Sequence, residues 1–199
     1  MSVGYVLIVI SINVLIIILW EMYKKRRGYK KVKQVSEIHD LIAEDKCEEA
    51  LSMLKKIEKH CPPVAFTMMG ECYYKMGDKG KAQELYMKAL SVDSTMDQAH
   101  VGLAQIEMDN SDYTKAESSL KRALEIDRNN YIAMYHLAHI YSIWGKYADT
   151  AKLLESAIEK GLVLRDAYLM LRDYYESIGD HAAVKKMDEK IELLDRRGN

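Results

Sequence analysis

The sequence predicts an all-α fold, a solenoid of helical hairpins preceded by a single transmembrane helix. Three observations carry this: an uncharged apolar run at the N-terminus, a composition that favours helix almost everywhere after it, and a self-similarity of period 34. The 199 residues are 49% hydrophobic and 30% charged, a balance that suits a chain with a packed core. Only two prolines occur, side by side at Pro62 and Pro63. Long stretches are rich in Ala, Leu, Glu, Lys and Met, which lose little rotamer freedom in a helix.

Residues 1–23 form the first expected element. Val3 to Trp20 carry no charge, and twelve of the sixteen residues from Tyr5 to Trp20 are Val, Ile or Leu. As helix this run would span about 27 Å, close to the thickness of the hydrocarbon core. Tyr5, Trp20 and Tyr23 fall where interfacial aromatic belts are expected. A cleaved leader fits poorly, because Met1 to Gly4 has no basic residue and Trp20 to Tyr23 offers no small-residue cleavage site.

A basic juxtamembrane collar follows over residues 24–33: Lys24, Lys25, Arg26, Arg27, Lys30, Lys31 and Lys33. Basic residues close to a span stay on the cytoplasmic side, so the C-terminal bulk is expected in the cytoplasm of a single-pass membrane protein. The same residues would attract anionic lipid at the membrane surface. Residues 1–33 hold seven Lys/Arg against one Glu, which leaves 22 basic and 29 acidic residues in the remainder. The repeats are therefore acidic, and nucleic-acid binding has no foothold.

Aligned on itself at 34 residues, the chain superposes Gly70, Ala104 and Ala138; Gly77, Ser111, Gly145 and Gly179; Ala82 and Ala116; and Ala89, Ala123 and Ala157. The units are 63–96, 97–130 and 131–164. Small residues at fixed positions let helices approach closely, and larger ones such as Phe66, Met69, Tyr73 and Tyr86 fill the space between. Gly77, Gly145 and Gly179 fall where a helix needs a left-handed cap, with Ser111 and Asp112 in that role in the second unit. Asp93 and Ser94, and Asp127 to Asn130, supply breakers and caps between units.

In these residues the chain resembles the tetratricopeptide-repeat family. Phe66, Met69, Gly70, Tyr73, Gly77, Ala82, Tyr86 and Ala89 fill that family's positions 4, 7, 8, 11, 15, 20, 24 and 27. The second unit departs at Glu107 and the third at Thr150. Residues 31–62 read as a degenerate first repeat slipped by two residues, its first helix running into the collar. Residues 165–199 read as a divergent capping repeat, where Val184, Met187, Ile191 and Leu194 form one apolar stripe.

The resemblance implies a concave groove lined by positions 2, 5, 9, 12 and 13 of each first helix. The expected partner-binding residues are Thr67, Glu71 and Tyr74, then Val101, Gln105 and Met108, then Ile132, Tyr135 and His139. Family members that clamp chaperone carboxylate tails use Lys and Asn at positions 5 and 9. Here Thr67 and Glu71 stand first, so such a clamp is not expected. Catalytic chemistry is not expected either, nor a cofactor or metal. No Walker loop, nucleophile elbow or zincin helix occurs. Three cysteines, Cys47, Cys61 and Cys72, have no ligand spacing; Cys61 beside Pro62 reads as a helix junction, and His136 and His139 as groove lining.

The expected function is thus a membrane-anchored scaffold or assembly factor that presents a cytosolic groove to a protein or peptide, in a bacterial inner membrane. The alternative is a targeting receptor for amphipathic segments, like the N-anchored repeat receptors of the mitochondrial outer membrane.

Overall fold

The computed structural model describes residues 34–197. The expected span over residues 1–23 and the basic residues Lys24, Lys25, Arg26, Arg27, Lys30, Lys31 and Lys33 lie outside the described residues. Among the described residues there is no strand, and no helix is long and apolar enough to cross a membrane.

The helices in order are α1 over 34–43, α2 Cys47–Ile57, α3 Pro62–Lys75, α4 Lys79–Val92, α5 Asp97–Asp109 and α6 Tyr113–Ile126. They continue as α7 Tyr131–Ile143, α8 Tyr147–Glu159, α9 Arg165–Ser177 and α10 His181–Arg197. Within each unit the two helices pack as an antiparallel hairpin: α3 with α4, α5 with α6, α7 with α8 and α9 with α10. The second helix of one unit then packs on the first helix of the next, so the units stack into a solenoid.

The hairpin turns share one mechanism. The N–H groups of Asp78, Asp112, Lys146 and Asp180 donate to the carbonyls of Tyr73, Glu107, Tyr141 and Tyr175 at 2.8–2.9 Å. This six-residue closure requires a left-handed residue one step earlier. Gly77 supplies it at φ 85, and Ser111 adopts φ 62 in the second unit at the cost of crowding its Cβ. The same bond joins Lys46 to Leu41, with Asp45 left-handed at φ 59, 32 residues before Gly77. The turn after α1 therefore repeats the device at a spacing two short of the period. Asp78, Asp112 and Asp180 cap the following helices by accepting from Lys81, Lys115 and Ala183 N–H groups. Between units, Asn130 caps α7 through Ala133, whereas α5 begins at Met96 with no side-chain cap. Asp93 accepts instead from Thr95 within the preceding turn.

Packing follows the small-residue pattern. Ala82, Ala89, Ala116, Ala123, Ala138 and Ala157 are fully buried where helices cross. Tyr86 is the wedge between the first two complete units: its ring lies against both Gly70 of α3 and Gly102 of α5. A Cβ at Gly102 would sit 2.3 Å from Tyr86 Cζ, so only glycine fits there without movement. At the C-terminal end Met187 and Ile191 of α10 are buried against α9, while Lys185, Lys186, Glu189 and Lys190 face solvent. This gives the last hairpin a polar outer surface, as a terminal unit needs.

Candidate partner-binding groove

The first helix of each unit defines the inner surface. Helix α3 touches α5 and α5 touches α7, whereas α4 and α6 do not approach each other to the same extent. Helices that crowd together lie on the inside of the curve, so the free faces of α3, α5 and α7 line the concave side, and α9 follows them in the repeat frame as the first helix of the fourth unit.

Two expected groove residues are not on that surface. Thr67 is only 4% exposed, its hydroxyl donating to the Pro63 carbonyl at 2.8 Å, and Val101 is 7% exposed in the core around α5 to α7. Val101 shares its cluster with Ala133 and Leu137 of the next unit, which helps to cover it. Position 5 of the third unit, Tyr135, is half-buried.

The N-terminal part of the groove is occupied by its own polar contacts. Tyr74 donates its phenol hydrogen to Asp109 at 2.9 Å, and Lys79 bridges to the same carboxylate at 2.9 Å. Burial and the Asp109 hydrogen bond push the Tyr74 phenol up to about 12. The Lys79 ammonium, and then Tyr74, hold Asp109 below the usual carboxylate range. Lys75 pairs with Asp45 of the preceding turn at 2.6 Å. Glu71 lies half-buried beside these; burial raises its carboxyl, opposed by His39 and Lys75. The three expected residues of this unit thus divide into one core residue, one tied phenol and one partly desolvated acid.

The middle and C-terminal parts are more open. Gln105 Nε2 and His136 Nε2 lie 3.1 Å apart across α5 and α7. Burial, and then His139, lower His136 to about 4, so its ring is neutral at physiological pH. Its neighbour Tyr135 lies with ring centroids 5.4 Å away. Met108 is half-buried against the central core. Ile132 and Ile143 are 37% and 47% exposed, and His139 is exposed between them on α7. His136 and His139 therefore differ: one is engaged by Gln105, the other open to a partner. Among the described residues, no group of three or more His, Cys, Asp or Glu is placed to hold a metal.

The structure also adds residues that the sequence reading left out. Asp166, Leu169, Asp173 and Glu176 of α9 recur at three- and four-residue spacing and share one face, opposite buried Ala167, Tyr168 and Leu171. Asp166 is close enough to Tyr135 to raise its phenol, after burial. The signal was present in the frame, because these four residues occupy positions 2, 5, 9 and 12 of the fourth unit. Trp144, at the end of α7, is partly exposed against Tyr141 with Lys146 lying 4.7 Å from both rings.

Comparison with known proteins bears on this architecture. Residues 64–96 and 97–130 match the tetratricopeptide repeat model, so the chain carries tetratricopeptide repeats. A curated relative, a Sol locus transcriptional repressor of Clostridium acetobutylicum, is 22% identical over 129 residues, 65% of this chain. The chain spans about two fifths of that relative's length, 41%. Among solved structures, MamA is 20% identical with a TM-score of 0.59, covering 80% of this chain and 94% of its own. PilF of Pseudomonas aeruginosa is 14% identical with a TM-score of 0.67, covering 81% and 74%. MamA of Desulfovibrio magneticus is 18% identical with a TM-score of 0.57, covering 82% and 96%. These likenesses show the fold, an all-helical tetratricopeptide-like solenoid. Such domains bind protein partners in general.

Proposed function

We propose that this tetratricopeptide-repeat chain is a membrane-anchored interaction scaffold or assembly factor that holds a protein partner in the concave groove. The observation that supports it is the open apolar surface of α7, where Ile132 and Ile143 are left exposed beside half-buried Tyr135 and Met108. Large side chains held on rigid helices make contact area at small ordering cost. The hydrogen bonds of the groove tie repeat to repeat, as Tyr74 does with Asp109 and Gln105 with His136. They assemble no catalytic arrangement, and the reading is interaction rather than catalysis.

The anchor is part of the proposal. Residues 3–20 are uncharged and dense in Val, Ile and Leu, and the seven basic residues of 24–33 follow at once. These two sequence features support a single span with the repeats on the cytoplasmic side, in a bacterial inner membrane, with the collar against anionic lipid.

The test is capture of partners by chemical crosslinking from intact membranes, comparing the wild type with Ile132→Asp/His139→Glu. Both residues are exposed, so the fold tolerates the change. Charge placed at the centre of an apolar contact costs about 2 kcal/mol or more, and capture is expected to fall at least tenfold. A control on the second helices, Lys121→Glu/Lys152→Glu, is expected to leave capture unchanged, since single exposed charges contribute little. Equal capture by the groove variant and loss by the control would place the functional surface elsewhere.

A further inference from the structure

We infer that the α7–α9 end of the groove accepts a cationic protein segment carrying a large apolar side chain. This rests on the groove being the interaction surface and names the chemistry of its occupant. Ile132 and Ile143 provide exposed apolar contact on α7, and Leu169 extends it, half-buried, onto α9. Asp166, Asp173 and Glu176 flank that strip along about 15 Å of α9, with Asp166 beside Tyr135.

The charge balance decides the sign of the occupant. Positions 2, 5, 9, 12 and 13 of α3, α5, α7 and α9 hold five acids, Glu71, Asp109, Asp166, Asp173 and Glu176, against one base, Lys75. Lys79 neutralises Asp109, Arg172 engages Asp173 at 2.7 Å, and Lys75 is taken up by Asp45. Among the described residues, Glu71, Asp166 and Glu176 have no salt-bridge partner, and two of these three lie on α9. An anionic or carboxylate-ended segment would meet repulsion along the whole strip. A Lys- or Arg-bearing segment gains attraction over several turns while its apolar side chain packs on exposed Ile132 beside Tyr135. The N-terminal part of the groove is closed by the Tyr74, Asp109 and Lys79 contacts, so the attraction is concentrated at the C-terminal half.

The experiment uses the full chain in neutral detergent and two labelled synthetic peptides of sixteen residues with the same leucine positions. One carries Lys and Arg at the remaining positions, the other Glu and Asp, and binding is followed by fluorescence anisotropy. The cationic peptide is expected to bind at least tenfold more tightly than its twin, and the difference should shrink in high salt. Asp166→Asn/Asp173→Asn/Glu176→Gln is expected to weaken it about tenfold, whereas Glu48→Gln/Glu49→Gln/Asp149→Asn, an equal neutralisation away from the groove, leaves it intact. Equal binding of both peptides, or equal loss with both sets of neutralisations, overturns the cationic occupant. Ile132→Asp separates the two levels of the argument. If it abolishes binding of both peptides while the α9 variant changes nothing, the groove stands and the charge preference falls. If it changes nothing either, the groove itself fails as the site.

Discussion

His136 gives the repeat array a defined acid sensitivity. Its ring is enclosed between α5 and α7, with one nitrogen 3.1 Å from Gln105 Nε2, and burial followed by the charge of His139 lowers it from 6.5 to about 4. In the unfolded chain the same ring regains its ordinary value near 6.5. Between these two values the unfolded state binds the proton and the folded state does not, so stability is complete above pH 6.5 and lost as pH falls toward 4. The full drop corresponds to roughly 3 kcal/mol, as an upper figure for a partly exposed ring, and about 2 kcal/mol of it is lost between pH 7.5 and pH 5. For a chain of this size that is a fall of about 4–8 °C in melting temperature. Glu71 and Glu107, whose carboxyls are raised chiefly by burial, act in the opposite direction, and comparison with His136→Gln removes their contribution. Gln keeps a hydrogen-bonding group opposite Gln105 without a titrating ring. Thermal melts of wild type and variant at pH 7.5 and 5 are expected to show a steeper loss in the wild type. Parallel curves, or a His136 resonance titrating near 6.5, would refute the reasoning.

Three further outcomes follow from the packing. Gly102→Ala puts a Cβ 2.3 Å from Tyr86 Cζ and is expected to destabilise by about 1–3 kcal/mol despite the better helix propensity of alanine, with Tyr86→Leu in the same chain recovering part of the loss in urea melts. In the native protein a thiol reagent at pH 8 is expected to modify Cys61, which is partly exposed, and to spare buried Cys47 and Cys72, the latter pushed up to about 12 by burial and then by Cys47; three fast-reacting thiols would contradict this. Removal of residues 1–28 is expected to leave a helical protein with a cooperative melt by circular dichroism, because the described hairpins bury one another's apolar faces; an unfolded product would show that the first residues belong to the fold.

The solenoid was legible because its signals are local and repeated. Alanines at a fixed spacing and glycines at each turn specify hairpins wherever they recur, and Ser111 shows that the turn bond persists where the glycine is missing. Gly102 was not legible, since it lies outside the repeating pattern and exists to receive Tyr86, a residue of the preceding unit. The groove was legible only as a face. Which of its residues are open depends on tertiary packing that the repeat spacing does not set: Thr67 and Val101 are buried, Ile132 and Ile143 accessible. The α9 carboxylates were missed for a related reason: Arg172 and the later departures mark this unit as divergent, yet its inner face keeps the frame.

The groove is consequently unequal along its length, and the inequality has a physical origin. Toward the N-terminus, repeat meets repeat through paired polar groups: Lys75 with Asp45, and Tyr74 and Lys79 with Asp109. Across the next boundary one groove tie remains, Gln105 with His136 at 3.1 Å, and others are placed at the loop edge, where Asn130 donates to Asp97 at 2.8 Å and Lys160 to Asn129 at 2.7 Å. Ties inside the groove consume the groups that a partner would use, whereas ties at the edge fix the curvature and leave the inner face free. An occupant of the proposed groove therefore meets open surface at Ile132, Ile143, Asp166 and Glu176 and preoccupied surface on α3. On the proposed reading the strength of capture is set where Ile132, Ile143 and the α9 acids are, so truncation there is expected to matter more than any change near Tyr74.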